Sequence, residues 1–296
     1  MLIETAIGDA YAIAWEFAPG QRGANDLATY HQNPKYPEFP AGHYSDDTMR
    51  SLANAEVVLG PEAGWFDPAS YVDQYQKAHA ADPRLGWSKG FQAYLDQHRD
   101  STPRQFMLNL RRRATNGALM GVAPLGYLPD ENTIRLATAA QVMATHSGAA
   151  ISSAQTIALS AHYLLNRKGP IADLPGYLEH TVDWADRDEK ARILCQHGAA
   201  MPQARMPAWT IAAGAVFILT DTGFTGLADR LSWIVDLAKT YDCDADSLAA
   251  VTMALCSCST EIVQDLPDAL MAGLETPAKR AEIASVEDAL RQFSGI

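Results

Sequence analysis

Apolar residues recur at helical spacing from one end of the chain to the other, and this pattern restricts the fold more than any other feature. Ile3, Ala6, Ile7, Ala10, Ala14 and Phe17 fall on one stripe, as do Met49, Leu52, Ala53 and Val57. Leu248, Val251, Thr252 and Leu255 repeat it near the other end. Asp67-Pro68 and Thr102-Pro103 each place an N-cap residue before a proline suited to the first helical turn. Nothing alternates with period two, and no Asn-Gly or Asp-Gly pair is flanked by strand-like runs. The pattern predicts an all-α fold. With no low-complexity linker, composition break or repeat of about 20–50 residues, residues 1–296 are expected to form a single domain. The helical pattern lapses only from Ala18 to Tyr44, where Pro19, Gly20, Gly23, Pro34, Pro37, Pro40 and Gly42 crowd together. A loop of that length in a compact domain usually has a function, and this one is expected to cover a site.

Charge narrows the function classes. Against 23 Lys and Arg stand 35 Asp and Glu, a formal net charge of -12. No nucleic-acid or anionic-membrane partner is expected, because phosphate binding draws on clustered bases. The one basic run, Arg111-Arg112-Arg113, reads as a solvated helix face. Cys195, Cys243, Cys256 and Cys258 show no metal-binding or disulfide spacing. The first residues carry Glu4 and Asp9 rather than the basic start of a secretory signal, so a cytoplasmic location is expected. The charge-free stretch from Leu136 to Asn166 is broken by His146, His162 and many hydroxyls and amides, which predicts buried helices rather than a membrane span.

The densest polar chemistry is Ser45-Asp46-Asp47-Thr48, four oxygen-bearing side chains directly before an amphipathic helix. Taken alone it suits an N-cap with acids at the positive end of the helix dipole. A second cluster, Asp242-Cys243-Asp244-Ala245-Asp246-Ser247, opens the helix expected at Leu248. Its alternating acids suggest a calcium loop, but Ser247 replaces the required glycine and Met253 the bidentate glutamate, which excludes an EF-hand. Two such clusters at helix starts suggest one shared site. Hard oxygen ligands without a matching His or Cys set favour Mg²⁺ or Mn²⁺, and two ions would offset the mutual repulsion of the acids. Asp9 and Glu16, seven apart in the first apolar helix, would share a face. Both need partners, either basic side chains or metal-bound water.

Gly8-Asp9 with Glu16, Ser45-Asp46-Asp47-Thr48, Thr115-Asn116-Gly117-Ala118 with Met120, Thr145-His146, and Asp244-Ala245-Asp246-Ser247 occur in this order along the chain. The set resembles the ADP-ribosylglycohydrolase family, which includes ADP-ribosylarginine hydrolases and dinitrogenase reductase-activating glycohydrolases, from about residue 3 to about residue 273. The resemblance implies an orthogonal all-α bundle with a cleft holding two Mg²⁺ or Mn²⁺ ions. By position, Ser45, Asp46 and Asp47 match one ligand group, and Asp244, Asp246 and Ser247 the other. Glu16, Asp46 and Asp47 match the catalytic acids. Asn116, Gly117, Ala118 and Met120 match the loop over the diphosphate, and His146 a residue near the ADP-ribose. This chain departs from the family in Ser45 and Ser247, where threonine is usual, in Asp242-Cys243 for Gly-Gly, in Gly121 for Arg, and in Ala12 for Gly.

The implied activity is hydrolysis of the glycosidic bond at C1 of the distal ribose, releasing ADP-ribose from a modified protein, with arginine the first candidate. Serine-type O-linked substrates are the alternative within the enzyme class. A non-catalytic ADP-ribose-binding relative would be expected to have lost metal acids, which this sequence keeps. An immunity protein acting against an ADP-ribosylating toxin is a further alternative.

Overall fold

The computed structural model describes residues 1–21, 23–195 and 207–296, and among them it is helical, with no strand beyond an isolated bridge between Gly226 and Val263. The helices that position the site are α1 (Leu2–Ala12), α2 (Asp46–Leu59), α3 (Pro68–Ala81), α4 (Pro103–Asn109) and α5 (Glu131–Thr145). They are followed by α6 (Ile151–Leu165), α7 (Ala208–Thr220), α8 (Leu227–Thr240), α9 (Ala245–Cys256) and α10 (Pro277–Ser294). Helices that are apolar all round must be buried on all sides. α1, α6 and α9 are of this kind, and nearly every residue in them is enclosed. Amphipathic α3 and α10 lie outside, with only a few positions each turned inward.

The caps follow local chemistry. Asp67 accepts from the Ala69 amide at 3.0 Å, with Pro68 in the first turn. Thr102 and Gln105 form a reciprocal capping box around Pro103. The apolar stretch from residue 136 to 166 divides into α5 and α6 across a short turn at Gly148–Ala150. Among the described residues no helix is long and apolar enough to cross a membrane.

One contact decides where the acids meet. α1 and α9 cross so tightly at Gly8 that a side chain there would stand 2.8 Å from the Ala249 carbonyl oxygen and 2.8 Å from Met253 Cγ. Only glycine permits that approach. The next residue is Asp9, so the crossing carries it to the start of α9, where Asp246 sits.

Two local expectations are corrected. α1 ends at Ala12, a 3₁₀ turn spans Ile13–Trp15, and Glu16 follows in extended backbone (ψ 122°), so Asp9 and Glu16 do not share a continuous helix face. The second acidic helix starts at Ala245 rather than Leu248, with Asp244 at its N-cap.

Candidate metal centre and substrate cleft

At the start of α2, the Asp9 carboxylate accepts hydrogen bonds from the Ser45 amide (3.0 Å), the Thr48 amide (3.0 Å) and the Thr48 hydroxyl (2.6 Å). Asp9 thus finds its partners in free helix amides rather than in a basic side chain. Because α1 supplies this cap, Asp46 and Asp47 are left to point elsewhere. Ser45 Oγ accepts from the Asp47 amide at 3.4 Å.

Carboxylate oxygens of Asp9, Asp47 and Asp246 come within 4.8 Å of one another, and so do those of Glu16, Asp244 and Asp246. Asp246 belongs to both groups and joins them. All five side chains are buried, as are Asp46 and Ser247. Oδ1 of Asp46, Asp47, Asp244 and Asp246 and Oε2 of Glu16 have no hydrogen-bond partner. Buried polar atoms are rarely left unpaired, and the unpartnered oxygens of Glu16, Asp47, Asp244 and Asp246 within the two groups fit hard divalent cations.

Electrostatics point the same way. Burial, and then the charge of Asp9, pushes Asp46 up to about 8, with Arg50 opposing the shift. Burial raises Asp9 and Asp244 to about 6 each, although hydrogen bonds partly hold them down. Glu16, Asp47 and Asp246 are driven well above the ordinary carboxylate range, by burial first and then by neighbouring acids. The cluster therefore requires protons or cations to exist in this fold.

The other residues expected at the site gather around the acids. Asn116 donates through Nδ2 to Asp244 Oδ2, from a 3₁₀ turn at Asn116–Ala118. A Cβ on Gly117 would stand 3.0 Å from His146 Nε2 and 3.6 Å from Met120 Sδ, so loop, histidine and methionine form one wall. His146 Nδ1 lies 2.9 Å from Thr145 Oγ1, which accepts from Arg50 Nη2 at 3.2 Å. Burial, then the Arg50 charge, holds His146 well below its ordinary range and keeps its ring neutral. Cys243 is buried and its thiol is pushed up to about 12, which disfavours the reactive thiolate.

Several residues at the site were not singled out from the sequence. Arg50 lies one turn after Asp46 on α2, and that spacing was the available signal. Tyr36, in the irregular segment, lies beside the Glu16 carboxyl group, and each influences the ionisation of the other. Asn33 ties the same segment down, donating to the carbonyls of Ile13 (2.6 Å) and Glu16 (3.0 Å). Gly86, at φ +116°, lets a second loop press against Ser45 and the Asp46 carboxylate, where a Cβ would collide with both. Beside Glu16, an open depression of about 790 Å³ is lined by Phe17, Gln21, Pro34, Lys35 and Asp242 among others.

Comparison with known proteins bears on this arrangement. A family model described as ADP-ribosylglycohydrolase matches residues 1–294. A solved structure titled "ADP-ribosylglycohydrolase-related protein complex" superposes with a TM-score of 0.74 at 21% identity, covering 99% of this chain and 96% of that one. No curated protein matches the sequence.

Proposed function

Because the chain belongs to the ADP-ribosylglycohydrolase family and is thereby a glycosylhydrolase acting on ADP-ribose, we propose that it frees ADP-ribose from modified arginine side chains with the help of two Mg²⁺ or Mn²⁺ ions. The observation that carries this reading is the pair of buried carboxylate groups joined at Asp246, in which Glu16, Asp47, Asp244 and Asp246 each keep an unpartnered oxygen. In this reading Ser45, Asp46 and Asp47 hold one ion, and Asp244, Asp246 and Ser247 the other. When bound, the ions supply positive charge that holds the ribose hydroxyls and lowers the pKa of a water.

The chain's own residues do the rest. The Asn116 and Gly117 amides face the diphosphate, with Gly117 allowing close approach and Met120 closing the wall. Neutral His146 offers Nε2 to the ADP-ribose without adding charge. Glu16, held by the Asn33 clamp on its backbone, gives a proton to the departing guanidine nitrogen as positive charge builds on the sugar. Asp46 or Asp47 takes the proton from the attacking water. The segment from residue 18 to 44 covers Glu16, and the depression beside it receives the modified side chain.

Linkage is tested with matched proteins carrying ADP-ribose on arginine or on serine. Release from the arginine form at least tenfold faster supports the N-glycosidic reading. Equal or preferential release from serine moves the assignment to O-linked substrates.

A further inference from the structure

Between Asp100 and Asp130 the chain carries Arg104, Arg111, Arg112 and Arg113 and no acid at all, although its overall charge is -12. The triple-arginine run is not on a helix. α4 stops at Asn109, and Leu110 leaves it in extended conformation (φ −76°, ψ 124°). An extended chain turns alternate side chains to opposite sides. Arg111 and Arg113 are exposed, whereas Arg112 between them is half-buried and donates to the Met107 carbonyl at 3.2 Å. On α4, Arg104 and Leu108 are one turn apart and share the exposed face. Leu108 is 82% exposed, more than any other large apolar side chain among the described residues.

The strip is anchored beside the cleft. The Arg113 carbonyl accepts from the Ser147 amide at 3.1 Å, immediately after His146. Three residues further on, Asn116 is bonded to Asp244. At about 3.3–3.6 Å per residue, Arg113 lies within about 11 Å of Asn116. Among the described residues Arg104, Arg111 and Arg113 make no ion pair. Their guanidinium groups are thus available to a partner, and an exposed leucine among them suits a macromolecular face better than a small anion.

We propose that Arg104, Leu108, Arg111 and Arg113 form a docking strip for an acidic face of the protein that carries the ADP-ribosyl group. The proposal rests on the hydrolase reading above. Guanidinium groups pair well with carboxylates, and complementary charge at a rim speeds encounter and selects partners. The chain's net negative charge disfavours contact with an acidic protein over most other orientations, so the strip also fixes orientation, with the modification over the cleft.

The test compares two substrates, an acidic protein ADP-ribosylated on arginine and free ADP-ribosyl-arginine, using the Arg104→Gln/Arg111→Gln/Arg113→Gln variant and, separately, Leu108→Ala. For exposed pairs worth up to about 1 kcal/mol each, the triple variant should raise KM for the protein about tenfold. kcat on the protein and kcat/KM on the small substrate should stay within about twofold of the parent, and the parent's advantage on protein should shrink in high salt. An unchanged KM for the protein overturns the proposal. So does an equal loss on both substrates, which would place the arginines in ADP-ribose binding or in folding. If the parent releases ADP-ribose from neither substrate, the arginine reading fails, and affinity for the same acidic protein decides: about tenfold weaker binding by the triple variant supports the strip, and equal binding overturns it.

Discussion

Replacing Asp246 with asparagine should lower kcat/KM for release of ADP-ribose by about a thousandfold, with little change in the fold. The figure follows from a metal contribution of several kcal/mol to the barrier, at about 1.4 kcal/mol per factor of ten. Asparagine keeps the size of the side chain and removes its charge. Asp246 is assigned to one of the two ions and is also the acid common to both carboxylate groups, so one substitution removes a ligand and disturbs both groups. The fold is checked by thermal unfolding of the cation-free variant. It should melt no lower than the parent, because the cost of burying an ionisable acid among other acids has been taken away. Activity within tenfold of the parent would remove Asp246 from the centre of the site.

The second large effect is on stability. Saturating the site with Mg²⁺ or Mn²⁺ at about a hundred times Kd should add about 2.7 kcal/mol. For a chain of this size that is about 4–5 °C in Tm. The effect should depend on pH with a definite sign. Burial raises Asp9 and Asp244 to about 6 and Asp46 to about 8 in the folded, cation-free chain, against about 4 in the unfolded chain. Their contribution is fully present below the unfolded value and is lost as pH rises through the folded ones. In chelator, therefore, the protein should melt higher at pH 5 than at pH 8.5. The gain on adding cation should be largest at pH 8.5, where bare carboxylates repel most. A Tm in chelator that rises across this range would contradict the electrostatic account of the cluster.

Much of this was legible in the sequence because the signals were local. Ser45 to Thr48 and Asp244 to Ser247 each concentrate oxygen ligands within one helical turn, and hydrophobic spacing fixed the helices behind them. Asn116, Gly117 and His146 were placed through the order of motifs, and the structure brings them together. What could not be read was tertiary. Asp9 caps a helix from another part of the chain, a choice set by the α1–α9 crossing at Gly8 rather than by its neighbours. Glu16 leaves the helical pattern because Asn33 holds its backbone and the Phe17 amide donates to the Cys243 carbonyl at 3.1 Å. Periodicity carries no trace of either contact. Tyr36 lies in a stretch without periodicity, so its meeting with Glu16 had no sequence signal. The arginine run suggested a helix face, yet extended backbone after α4 puts it beside the cleft.

The central claim is that the buried acids hold cations which the hydrolysis of an ADP-ribosyl bond requires. It is tested most directly by following free ADP-ribose released from an arginine-ADP-ribosylated protein by the purified chain, in chelator and then after addition of Mg²⁺ or Mn²⁺. The account predicts negligible release in chelator and full restoration by one or both cations. Release that proceeds unchanged in chelator would contradict it.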